Sequence, residues 1–134
     1  MDTATVTYLG GLSCASVHTL SGDRFVTDAP PDNQGKGEAH SPTDLLCVSL
    51  CTCILTTMGI GAQAKDIPFD RARARVIKHM ANDPRRVARI ELHIELDAAL
   101  DARQRLLMER IAQTCPVARS LHPDVLQEVH FTYA

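Results

Sequence analysis

The chain has 134 residues and a mass of 14.7 kDa, enough for one compact domain that buries roughly two-thirds of its extended surface. A hydrophobic content of 45% and a net charge of −2 exclude global disorder. The absence of any long basic tract removes the electrostatic footprint expected of a nucleic-acid or anionic-membrane binder. Met1-Asp2-Thr3-Ala4 has neither a positive n-region nor an apolar h-region, so no signal peptide is expected there. Five cysteines are an odd count, and Cys47, Cys51 and Cys53 share one segment. This is not a secreted disulfide framework; a reducing, cytoplasmic setting is expected.

From the N-terminus, Thr3 to Tyr8 and Ser13 to Leu20 are rich in β-branched residues, with Gly10-Gly11 as the turn between them. Arg24 to Thr27 follows Ser21-Gly22-Asp23 as a third short strand, giving an antiparallel meander. Asp28 to Ser41, rich in Pro, Gly, Asp and Asn, is expected to be an exposed loop. Ser41-Pro42-Thr43-Asp44 then carries helix-start signals: Ser at the N-cap, Pro at N1 and an acid at N3. The helix is expected to run to about Ala64. It is apolar nearly all round, which predicts burial on every side. Its longest apolar run, Leu45 to Ile60, is interrupted by Ser, Thr and Gly and falls short of the ~20 residues of a membrane span.

Around Asn82-Asp83-Pro84, Ala72, Ala74 and Val76 alternate with arginines, and Ile90, Leu92, Ile94 and Leu96 alternate with Arg89, Glu91, His93 and Glu95. Superposing the apolar faces of the two stretches sets the Arg row against the Glu/His row. The arginines therefore read as a solvated sheet face, not a polyanion site. Asp101 to Thr114 is a second helix, with Leu107 and Ile111 expected inward and Arg103, Arg105, Glu109 and Arg110 outward. Pro116 suits N1 of a new short helix after Cys115, and Val125 to Tyr133 closes the chain as a strand. The expected class is α+β, in one domain over 1–134.

Two thiols stand out on chemical grounds. Cys115 occupies an N-cap position, where unpaired amides and the positive helix end favour a thiolate. Cys53 lies about three turns into the long helix, beyond that kind of help from its own N-terminus, and could equally be a small buried hydrophobe. Cys47 and Cys51 share a helix face, but their spacing fits no common zinc knuckle and the six histidines are scattered, so no metal is expected. Cys14 has no evident partner.

Ser41-Pro42-Thr43-Asp44-Leu45-Leu46, followed by small residues and then Cys53, resembles the first signature of the OsmC/Ohr family. Cys115-Pro116-Val117, with Leu121 beyond it, resembles the second, and the order of elements matches over almost the whole chain. The resemblance implies an intertwined homodimer that reduces organic hydroperoxides, and often hydrogen peroxide, with no metal or flavin and with an external dithiol as reductant. It maps the peroxidatic role onto Cys53 and the resolving role onto Cys115. The hydroperoxide-resistance branch has a Glu at the position of Thr43, which orients an Arg from an N-terminal loop. Here the acid is Asp44, which reads equally well as a helix cap, and no Arg precedes Arg24, which becomes the candidate cation. The alternative is a member of the same fold that binds a small apolar or thiol-bearing ligand with little turnover.

Overall fold

The computed structural model describes residues 1–134 as an α+β chain with two three-stranded sheets. It forms two compact units, residues 1–46 and 47–134.

In the first unit, β1 (Ala4–Gly10), β2 (Ser13–His18) and β3 (Arg24–Asp28) form the expected antiparallel meander. The β1–β2 turn places Gly10, Gly11 and Leu12 at φ 84°, 62° and 66°, a left-handed run that the two glycines accommodate without strain. Register places Val6, Ser16 and Phe25 in one row and Tyr8, Cys14 and Thr27 in the next, so these side chains share a face. Val6, Tyr8 and Phe25 are exposed on it. The loop after β3 is anchored through Asp28, which is buried: its Oδ1 accepts from the Ser13 hydroxyl and its Oδ2 from the Glu38 amide. One 3-10 turn, Pro31–Asn33, lies within this loop.

Helix α1 (Pro42–Ala64) starts where the sequence predicts. The Asp44 amide donates to Ser41 Oγ at 3.0 Å, and Asp44 Oδ2 accepts from the Ser41 amide at 2.9 Å. That reciprocal pair is a capping box. Burial on every side is not what the chain shows. The buried positions are Cys47, Leu50, Cys51, Ile54, Met58 and Ala62, a single stripe at helical spacing. Leu46 and Ile60 are exposed, as are Thr52 and Thr56. At 23 residues, α1 also meets the length and composition of a membrane span, contrary to the expectation from its interrupted apolar run. Its buried stripe packs into a core cluster, as that of a core helix does.

In the second unit, β4 (Ala72–Ala81) and β5 (Arg86–Leu96) pair as the alternation predicts, with Arg73 opposite Glu95 and Arg75 opposite His93. Ile90, Leu92, Ile94 and Leu96 are almost wholly buried on the other face, each worth about 1.5–3 kcal/mol by burial. The strand β6 (Leu126–Tyr133) lies parallel to β5, in register from Arg89/Leu126 to Leu96/Tyr133. Helix α2 (Ala102–Ala112) is capped by Asp101, whose side chain accepts from the Gln104 backbone amide while Gln104 Oε1 accepts from the Asp101 amide. Its fully buried residues are Met108 and Ala112, with Leu107 and Ile111 only partly buried beside them.

Arg105 and Glu109 do not point free into solvent as expected. Arg105 lies over the Tyr133 ring, 4.2 Å from its centroid, and donates to the Leu100 and Ala98 carbonyls. The Tyr133 hydroxyl donates to Glu109 Oε2. The physical reason is Tyr133 itself: the end of β6 brings it against α2, and a half-buried phenol needs a polar partner.

Candidate functional site

Both chemically distinctive thiols belong to the 47–134 unit, and the fold brings them together. Cys53 is partly buried on the third turn of α1; Cys115 has no exposed surface and caps the short helix α3 (Pro116–Ser120). Pro116 takes N1 as expected, and the Ala118 amide donates to Cys115 Sγ at 3.5 Å. Sixty-two positions of chain separate residues 53 and 115. Even so, each thiol shifts the ionisation of the other.

The two thiols are pushed in opposite directions. Burial works against ionisation of Cys53. Hydrogen bonds from the Cys115 thiol, the Val117 amide and the Thr57 hydroxyl outweigh it and hold the Cys53 thiol below its ordinary value. Thr57 Oγ1 stands 4.0 Å from Cys53 Sγ, one helical turn along. For Cys115, burial is the largest effect and raises its pKa. The hydrogen bond to Cys53 and the charge of that neighbour add to the rise, and the Ala118 and Val117 amides offset part of it.

This corrects the expectation for Cys115. It is an N-cap, but the five-residue helix it caps does not favour its thiolate, because burial and Cys53 outweigh the two amides. The Val117 amide of that first turn serves Cys53 as well. The favoured thiolate is therefore on the residue that sequence places far from any helix start.

Three contributors are absent from the sequence expectation: Thr57, the Val117 amide and Gln127. Gln127 sits on the core-facing row of β6 with Val129, Phe131 and Tyr133, and its Nε2 donates to the Ala118 carbonyl at 2.9 Å. It thereby ties α3 to the sheet and positions Cys115. A polar residue in an otherwise apolar row was the available signal.

Asp44 and Arg24 belong to the 1–46 unit. Asp44 accepts from the Ser41 amide in the cap, and Arg24 is an exposed residue at the start of β3, opposite Val17. Cys51 is buried, and its thiol is pushed up by desolvation. No group of three or more His, Cys, Asp or Glu is arranged to hold a metal ion. A groove of about 480 Å³ between Pro84 and Val125, and another of about 360 Å³ beside Asp70 and Ala134, are lined by neither Cys53 nor Cys115.

Residues 35–129 match the sequence model of the family described as OsmC-like protein. A crystal structure from Psychrobacter arcticus 273-4, whose name provisionally assigns it to osmotic stress induction and detoxification response, is 46% identical. That similarity covers 98% of this chain and 96% of that one, with a TM-score of 0.94. An OsmC-like protein from Mycoplasma pneumoniae is 18% identical over 98% of this chain and 95% of its own, with a TM-score of 0.80. A Legionella pneumophila protein named for organic hydroperoxide resistance is 15% identical over 98% of both chains, at a TM-score of 0.76. These last two likenesses show the shared fold. None of the curated proteins matches the chain.

Proposed function

Because the chain belongs to the OsmC-like family, we propose that it is a thiol peroxidase that reduces organic hydroperoxides, with hydrogen peroxide as a smaller substrate. The observation that carries this reading is the pair Cys53–Cys115: two thiols that shift each other's ionisation, one toward its thiolate and the other away from it. Peroxide reduction needs that asymmetry. The thiolate is the nucleophile, and the second thiol must wait beside it. Cys53 attacks the terminal peroxide oxygen, an alcohol leaves, and a sulfenic acid remains on Cys53. Cys115 condenses with it to a disulfide, which an external dithiol reduces in a reducing, cytoplasmic compartment.

The working form is proposed to be a homodimer. Val6, Tyr8 and Phe25 on one face of the first sheet and Ile60 on α1 leave large apolar side chains in water, and an exposed apolar set of this kind favours association. Sedimentation should show twice the 14.7 kDa chain mass, and a folded, stable species of single-chain mass at micromolar concentration would contradict it.

One equivalent of tert-butyl hydroperoxide should yield a Cys53–Cys115 disulfide in peptide mapping. Cys115→Ser should stop at a trappable sulfenic acid on Cys53, and Cys53→Ser should be inert. Oxidation of Cys47 or Cys51 first, or no thiol reacting faster than free cysteine, would replace this reading with ligand binding in the same fold.

A further inference from the structure

Helix α3 is little more than one turn long, and a single turn fixes more backbone than its own hydrogen bonds repay. Its geometry therefore depends on what holds it from outside. Val117 and Ala118 pack against the core, and a polar tie comes from the sheet: Gln127 Nε2 donates to the Ala118 carbonyl at 2.9 Å. Gln127 pairs with Ile90 in the β5–β6 ladder, and Ile90 has no exposed surface, so the tie starts from a fixed strand. The carbonyl it grips shares one planar peptide group with the Arg119 amide. That amide donates to the Cys115 carbonyl at 3.3 Å, and the Ala118 amide donates to Cys115 Sγ at 3.5 Å. Gln127 is thus two hydrogen bonds and one rigid peptide away from the Cys115 backbone.

We propose that Gln127 is a positioning residue for the resolving step: through the peptide between Ala118 and Arg119 it holds Cys115 where its sulfur meets the oxidised Cys53. This rests on the peroxidase reading above and assigns a residue on β6 to one step of that reaction. In the resolving step the Cys115 sulfur attacks the Cys53 sulfenic acid. The S–S bond forms and the S–O bond breaks. The sulfenic sulfur is reduced, the Cys115 sulfur is oxidised, and the thiol proton leaves with hydroxide as water.

The two steps differ in how much slack they tolerate. A peroxide is a small molecule that diffuses to Cys53, which stands inside a 23-residue helix with its own ladder of bonds. Disulfide closure joins two atoms of the chain, and its geometry is narrow in both S–S length and dihedral angle. Cys115 has no exposed surface, so its side chain has little room to correct a misplaced backbone. Whatever orients α3 therefore bears on closure far more than on peroxide attack. An amide side chain at 127, in a row otherwise filled by Val129, Phe131 and Tyr133, supplies that orientation.

The test separates the steps by their dependence on peroxide: Cys53 oxidation is second order, and closure is independent of peroxide concentration. Quench-flow with tert-butyl hydroperoxide, dimedone trapping of the sulfenic acid and mass spectrometry would give both rate constants for wild type, Gln127→Leu and Gln127→Glu. Leucine keeps a side chain of similar size and removes the donor. Closure should slow on the order of tenfold, the weight of about one net hydrogen bond, and Cys53 oxidation should change far less. An ionised glutamate offers the Ala118 carbonyl only acceptors, whereas the protonated acid donates. Closure in Gln127→Glu, divided by the wild-type rate at the same pH, should therefore be slow near about pH 7.5 and recover toward about pH 5, since partial burial and a facing carbonyl raise a carboxyl's pKa. The same ratio for Gln127→Leu should not move with pH. A packing role alone would give no such recovery. Closure at wild-type speed in the leucine variant, equal slowing of both steps, or no recovery in the glutamate variant would overturn the role; if the leucine variant does not fold, the glutamate profile decides it. Wild type that forms neither sulfenic acid nor disulfide at Cys53 would instead overturn the peroxidase reading, and this role with it.

Discussion

Replacing Gly61 by alanine sets two effects of known sign against each other. Gly61 lies inside α1, and a Cβ built there would stand 2.6 Å from Ile111 Cδ1, 2.9 Å from its Cγ2 and 3.2 Å from its Cγ1. Carbon atoms prefer roughly 3.5–4.0 Å, so all three contacts are repulsive. Rotating Cδ1 away relieves only the first, because Cγ2 sits on the branched carbon of a helical isoleucine whose χ1 is stiff. Alanine gains about 0.8–1.0 kcal/mol of helix propensity. Overpacking costs about 1–3 kcal/mol, and contacts this close to three atoms of Ile111 put this site in the upper part of that range, about 2–3 kcal/mol. The balance should therefore be a destabilisation of about 1–2 kcal/mol, read as a melting point lower by roughly 3–10 °C for a chain of this size.

The assay is thermal and urea unfolding of wild type, Gly61→Ala, Ile111→Ala and the double variant, all at one protein concentration because association would shift every midpoint. In the double variant the clash has no partner. The alanine at position 61 should then cost nothing or stabilise by up to about 1 kcal/mol, giving a coupling of about 1–3 kcal/mol. Gly61→Ala at or above wild-type stability, or strict additivity in the double variant, would refute the close approach of α1 and α2 at this point.

Asp44→Asn should lower stability by about 0.5–1 kcal/mol, through the capping box and the first-turn dipole, and leave peroxide reactivity within a few-fold. A large rate loss with unchanged melting would place Asp44 at the reacting centre. Thr57→Val should slow alkylation of Cys53 at neutral pH and shift the pH–rate profile upward, because a hydroxyl that lowers the Cys53 pKa is lost. Thr57→Ser should restore the profile, and an unmoved profile in the valine variant would exclude that hydroxyl from the site. The Glu91 carboxyl is held down to about 2, from 4.5, by hydrogen bonds from His93 and then His79, at 2.6 and 2.8 Å. A depressed acid stabilises the fold fully above its unfolded value and loses that contribution as pH falls through its folded value. The excess stability of wild type over Glu91→Gln, measured by urea midpoints, should therefore be full above pH 4.5 and vanish toward pH 2. A gap that does not change over this range would contradict the pairing.

What the sequence alone determined is what is local. Ser41 and Asp44 announce a helix start because a capping box needs only residues three apart. Gly10-Gly11 mark a turn because that backbone is left-handed. The β4–β5 register follows from alternation, since a slip of one residue would turn Ile90, Leu92 and Ile94 out to water. Cys53 and Cys115 were legible as candidates because thiols are few and both stand in recognisable motifs. Only the tertiary structure decided that the parallel strand β6 lies beside β5 and that its Gln127 reaches back to α3. It also decided that Ile60 and Leu46 stay exposed on a helix that is apolar nearly all round, and that the Cys115 thiol is pushed up while the Cys53 thiol is held down. Burial and hydrogen bonding set that last assignment. Burial is made by neighbours distant in the chain, and one deciding donor, the Val117 amide, is a backbone group that leaves no mark on residue type.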